Sequence, residues 1–98
     1  MENQPVIARR NVLIVNAKGL HMRPATKFVK LANGYRSDIA VTGRELTVNG
    51  KSILDMTSLA AECGTTLELE ARGDDAEAAV DALAELVAAG FHMDDEAA

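Results

Sequence analysis

The stretch Gly19-Leu20-His21-Met22-Arg23-Pro24-Ala25-Thr26 decides how the rest of the chain is read. Proline is tolerated in a first helical turn, because the N–H it lacks is one the helix would leave unbonded. Pro24 therefore predicts a helix start, with His21 just before the helix or on its first residue. At such an end backbone N–H groups point outward and the macrodipole is positive. The position attracts anions, phosphate above all. The same field disfavours a charged imidazole, so His21 is expected to keep a nitrogen lone pair near pH 7. An imidazole in that state, beside N–H donors and the Arg23 guanidinium, is suited to holding a phosphoryl group covalently. Taken alone, the pattern also fits a capping or surface histidine and a solvated arginine.

Outward from this stretch, residues 11–16 form a β-branched run that predicts a strand. Ala17-Lys18-Gly19 turns the chain into the helix, predicted over 22–33. Ala25, Phe28, Val29 and Ala32 make its apolar side, and Gly34 stands where a left-handed cap is expected. Arg23, Lys27 and Lys30 fall at i, i+4 and i+7 and form one cationic stripe. Residues 38–42 and 45–49 alternate as two strands joined by a tight turn at Gly43-Arg44. Ser52 caps a short second helix, with Asp55 as the acid of a capping box. That helix is expected to end near Cys63-Gly64. Residues 65–72 predict a fourth strand. Asp74, with Glu77, is expected to cap a last helix whose apolar stripe is Ala76, Ala79, Val80, Leu83, Leu86 and Val87. Gly90 ends that helix, and Phe91 is expected to fold back onto the core.

The chain contains 98 residues, enough for one domain with one core, and 48% are apolar. No repeat or linker divides it. Residues 1–8 read as a flexible lead, 9–91 as the domain and 92–98 as an acidic tail. The first residues do not resemble a secretory signal peptide, and no apolar run approaches a membrane span. The only cysteine, Cys63, cannot form an internal disulfide and belongs to no metal motif. It is expected to pack as a small apolar side chain near a loop. These features place the protein in the cytoplasm, with no membrane insertion.

The formal charge of −5 is unevenly spread. Residues 1–36 carry seven basic side chains against one acid, whereas residues 37–98 carry three against fourteen. The basic segment includes His21 and would steer acidic partners towards it. The small number of basic residues, the three aromatics and the acidic remainder argue against nucleic acid as the partner. The order strand, helix, two strands, helix, strand, helix predicts an α+β fold. In it, a four-stranded, mainly antiparallel sheet carries three helices on one face (βαββαβα) and shows the other to water.

These residues resemble one family, HPr, the histidine-containing phosphocarriers of the bacterial phosphoenolpyruvate-dependent phosphotransferase system. Gly19 to Thr26 is similar to the family's active-site signature. Asn49-Gly50-Lys51-Ser52-Ile53 is similar to the signature around its regulatory serine. The interval between His21 and Ser52 fits, as does the element order of an HPr-like open-faced sandwich, over about residues 10–91.

The resemblance implies that enzyme I passes a phosphoryl group to Nδ1 of His21, steadied by Arg23, and that an enzyme IIA-type domain then takes it. A carrier of this kind turns over no substrate alone, so it is not an enzyme, and no cofactor or metal is implied. Ser52 matches the site of an HPr kinase/phosphatase in regulated members, although Asp55 one turn along would repel a phosphoserine. Ile53 and Leu54 match an exposed apolar partner patch. Met22 departs from the alanine common at its position and enlarges the docking surface or changes partner preference. Lys27 and Lys30 would rim that surface. A monomer is the expected state for a carrier that docks two partners in turn.

Two alternatives stand beside the sugar-uptake carrier. One is the nitrogen-related regulatory relative, which uses the same histidine chemistry. Gly90-Phe91 followed by Asp94-Asp95-Glu96 is slightly similar to it. The other is a small regulatory binding module that is never phosphorylated, which would need neither His21 nor Arg23.

Overall fold

In the computed structural model, which describes residues 6–93, the sheet is built from β1 (Ile7–Leu13), β2 (Asp38–Gly43), β3 (Leu46–Asn49) and β4 (Thr66–Arg72). The helices are α1 (Met22–Ala32), α2 (Ile53–Ser58) and α3 (Ala76–Ala88). The strands lie in the order β1-β4-β2-β3 and every neighbouring pair is antiparallel. Alternation along the strands makes one face apolar and the other polar. Ala8 and Val12, Ile39 and Val41, and Leu67, Leu69 and Ala71 are buried on the apolar face. The expected apolar stripes of α1 and α3 are all buried as well. Arg9, Asn11, Glu68, Glu70 and Thr42 alternate onto the open face, where Arg9 donates to Glu70 at 2.9 Å. The fold is the predicted open-faced α+β sandwich.

Several element ends differ from the sequence prediction, each for a local reason. Strand β1 begins at Ile7, inside the stretch read as a lead, and Ala8 is a core residue. Arg9 and Arg10 conceal the alternation because both are charged. Arg10 lies on the helix side of the sheet and reaches Glu77 and Asp81 of α3 at 3.1 and 3.0 Å. At the other end, β1 pairing stops at Leu13, and Ile14 adds one more backbone bond to Thr65 before Val15 and Asn16 leave the sheet.

The β2–β3 turn is Arg44-Glu45, one residue later than expected. Both residues are left-handed (φ 54° and 70°), and Gly43 pairs with Leu46 across the turn. This is the geometry of a two-residue mirror-image hairpin turn, made here without glycine. Leu46 lies on an edge strand and stays exposed.

Helix α2 ends at Ser58 rather than near Cys63, because Ala60 turns left-handed (φ 49°). Gly34 is not left-handed. Helix α1 closes instead through Asn33 in the right-handed region, with Gly34 N–H donating to Leu31 O at 3.0 Å.

The N-cap of α3 is Asp75, not Asp74, and its side chain does not cap that helix. The carboxylate crosses to the start of β2 and accepts from Arg36 N, Ser37 N and Ser37 Oγ at 2.8, 2.9 and 2.6 Å. These bonds, led by the Ser37 hydroxyl, lower the Asp75 pKa from 3.8 to about 2. The link ties the α1–β2 connection to α3 with no apolar contact to betray it in sequence.

Beyond α3 the chain makes a single turn over Gly90–His92, in which Gly90, Phe91 and His92 are all left-handed (φ 66°, 58° and 55°). Phe91 does fold back into the core, and Met93, read as part of a tail, is buried too. The rest of that expected tail lies outside the described residues.

Candidate functional site

The loop before α1 is held from two sides. Asn16 is buried and donates through Nδ2 to Gly19 O at 2.7 Å, while Gly19 N–H donates to Asn16 O at 3.0 Å. Leu20 N–H donates to Ala61 O at 2.8 Å, which fastens the loop to the segment following α2. Gly19 has φ +70°, and a Cβ there would lie 2.5 Å from Ala61 O and 2.8 Å from Glu62 Cα. Only glycine fits, both for its backbone angle and for the close approach.

This framework delivers His21 to the N-cap of α1 with an extended backbone (φ −93°, ψ −168°). Its carbonyl takes the first helical bond, from Ala25 N at 3.0 Å. Pro24 has no N–H, so the outward-pointing donors of the first turn are the amides of Met22 and Arg23. The imidazole is half-buried, the Arg23 side chain is exposed, and there is no acid in the first turn. The arrangement suits an anion next to His21: two amides, the positive helix end and the Arg23 side chain two residues on.

Of the residues singled out in sequence, His21, Met22 and Arg23 are adjacent in this arrangement. Met22 is 58% exposed. Lys30 is exposed. Lys27 is not a loose rim cation, because its Nζ donates to Phe91 O at 3.0 Å and so anchors the C-terminal turn.

Ser52 and its neighbours lie elsewhere along α1. Gly50 packs near Phe28 and Ile39, and Lys51 Nζ donates to Tyr35 O at 2.7 Å. These contacts put the start of α2 towards the C-terminal end of α1, whose eleven residues span about 16 Å. The segment after α2 lies by His21. Ser52 is the N-cap of α2, its Oγ accepting from Asp55 N at 3.2 Å. Asp55 does not complete a capping box. It reaches back past Ser52 and accepts from Asn49 N at 3.0 Å. Ile53 and Leu54 both face solvent, Leu54 at 79%, so neither is a core residue.

Two contributors escaped the sequence reading. Asn16 carries a legible signal, an Asn three residues before a Gly in a turn. The carbonyl of Ala61 carries none, since a backbone group has no letter of its own. Cys63 corrects an expectation: it is exposed, with Sγ 3.6 Å from Val15 O.

Fold and site together define a small α+β domain that presents one histidine at an anion-receptive helix start. A family model described as "PTS HPr component phosphorylation site" matches residues 8–89. The phosphocarrier protein HPr of Neisseria meningitidis is 40% identical over 79 residues, covering 81% of this chain and 89% of that protein. The phosphocarrier protein NPr of Shewanella violacea is 39% identical over 82 residues, covering 84% and 90%. The crystal structure of HPr-C-His from Thermoanaerobacter tengcongensis superposes with a TM-score of 0.83 at 39% identity, covering 87% of this chain and 96% of that one. The chain belongs to the HPr family and is a phosphocarrier of the phosphotransferase system. A binding module without phosphoryl chemistry is thereby set aside.

Proposed function

We propose that His21 is the phosphoryl acceptor, that enzyme I charged by phosphoenolpyruvate is the donor, and that enzyme IIA-type domains are the acceptors that follow. The observation that carries this reading is the seat of His21 at the N-cap of α1, ahead of the Met22 and Arg23 amides. A lone pair on Nδ1 attacks phosphorus and a P–N bond forms. The donor's bond to phosphorus breaks, and its electron pair stays with the donor. The amides and Arg23 hold the phosphoryl oxygens as charge migrates. Transfer to a IIA-type domain repeats the step with His21 as the leaving group. The chain turns over no substrate alone and is a carrier rather than an enzyme.

Met22, Ile53 and Leu54 supply exposed apolar contact to partners, and Lys30 steers acidic ones. Lys27 serves more by holding the Phe91 carbonyl than by facing a partner. Ser52 is the candidate for an HPr kinase/phosphatase, its modification opposed by the Asp55 carboxylate one turn along. The protein works as a cytoplasmic monomer, since one face must meet two partners in turn. Among the described residues no helix is long and apolar enough to cross a membrane.

The test is to incubate the purified chain with enzyme I and phosphoenolpyruvate, then add a IIA domain. Phosphoryl label should appear on the chain and then leave it. A chain that stays unlabelled contradicts the proposal. The sugar-uptake branch is the main reading. The likeness to an NPr favours the nitrogen-related branch as the second. Preference for a sugar-specific or a nitrogen-related IIA domain in the same assay decides between them.

A further inference from the structure

The turn over Gly90–His92 holds three left-handed residues in succession, and two of them, Phe91 and His92, carry side chains. L-residues rarely adopt that conformation singly, and a run of them persists only where the surroundings fix it. Three contacts do so here. Phe91 and Met93 are buried in the core. Lys27, half-buried on α1, donates from Nζ to Phe91 O at 3.0 Å. Gly90 lies against the exit of β1, where a Cβ on it would stand 3.6 Å from Val15 Cγ2 and 3.8 Å from Asn16 Cβ. The turn thus joins the body of α1 to Asn16. Asn16 is itself buried and donates from Nδ2 to Gly19 O at 2.7 Å, just ahead of His21.

We propose that Lys27 is a positioning residue for phosphoryl transfer. Its bond to the Phe91 carbonyl keeps the Gly90–His92 turn seated on Val15 and Asn16, and Asn16 keeps the loop ahead of His21 in place. Lys27 stands six residues beyond His21, about 9 Å along the helix, so it acts on the acceptor through the turn. A displaced turn releases Asn16 and lets the His21 ring leave its aligned position. That slows the transfer step itself rather than encounter with a partner. The positioning role rests on the phosphocarrier reading above. The link from Lys27 to Asn16 does not.

The test compares the wild-type chain with three variants. Lys27→Met keeps the stem and removes the donor, Lys27→Arg keeps a donor, and Lys30→Met removes a neighbouring charge on the same helix. The first readout, without any partner, is the NMR signals of the Asn16 side-chain amide and the Gly19 backbone amide. Lys27→Met should shift both. The shifts should persist at about 0.5 M salt, where the screening length falls to a few ångströms. Lys30→Met should leave both near their wild-type positions. Lys27→Gln, shorter by a single bond, should shift them as Lys27→Met does, and it replaces that variant if Lys27→Met does not fold. Unmoved signals on loss of the Lys27 amine, or equal shifts in Lys30→Met, would overturn the link.

The second readout is the rate of phosphoryl uptake as the concentration of charged enzyme I is raised. Lys27→Met should lower the rate at saturating enzyme I about three- to tenfold, at low and high salt alike. Lys27→Arg should stay within about twofold of the wild type, because a donor to Phe91 O remains. Lys30→Met should raise the half-saturating concentration at low salt only. A Lys27→Met defect confined to the half-saturating concentration and abolished by salt would overturn the proposal, by making Lys27 a steering cation. So would an unchanged saturating rate, or one as low in Lys27→Arg as in Lys27→Met. If the wild-type chain takes up no phosphoryl group, it is the carrier reading that fails, and the NMR comparison still decides the link.

Discussion

At His21 the proposed phosphoryl acceptor and the N-cap of α1 are the same residue. Its extended backbone (φ −93°, ψ −168°) ends the loop and sets the residue directly ahead of the first amides of α1. Arg23 is the next group on that path. Its replacement by Ala should lower the rate of phosphoryl transfer by about 10- to 100-fold, in the range of a lost donor at a developing anion, with circular dichroism unchanged. Asp75 acts on stability instead. Its folded pKa of about 2 lies below the ordinary 3.8, so its bonds to Arg36 and Ser37 stabilise the protein above about pH 4. That contribution is lost as the pH falls from about 4 to 2. Urea midpoints measured across this window should drop for the wild type and drop less for Asp75→Asn. Equal slopes would remove Asp75 from the acid response. Both residues are plain in the sequence, but their partners are not. Asp75 reads as one of two adjacent acids before a helix, and only the fold turns its carboxylate towards residues 36 and 37.

The elements were legible where periodicity carried them. Helices α1 and α3 bury every apolar residue assigned to them, and β2 and β4 lie within one residue of the predicted bounds. Strand β1 was misplaced because paired arginines mask a half-buried strand, and α2 was overextended because Ala60, a good helix former, is left-handed here. Left-handed angles at non-glycine residues such as Ala60 and Glu45 leave no trace in composition. They do leave testable strain. Glu45→Gly should stabilise the protein by about 0.5–1 kcal/mol, since relief of a left-handed non-glycine residue exceeds the added chain entropy. Thermal unfolding checks the sign. Ser52→Ala should cost about 1 kcal/mol through the lost bond to Asp55 N, with or without a kinase, and denaturant titration measures it.

Across the whole molecule, one side of the sheet is covered and the other is wet. The proposed chemistry lies at one end of the covering layer. The loop carrying His21 is braced by Asn16 from β1's exit and by Ala61 from the far side of α2. The fold class could be read from element order alone. The bracing could not, because it is made largely by backbone groups. The central claim is that phosphate enters and leaves through the His21 ring. The most direct test is to charge the wild-type chain and His21→Ala with labelled phosphoenolpyruvate and enzyme I, then count and locate the label. The account predicts one acid-labile phosphoryl group per wild-type chain, on His21, and none on a folded His21→Ala. Equal labelling of the two proteins, or label mapped to any other residue, would contradict it.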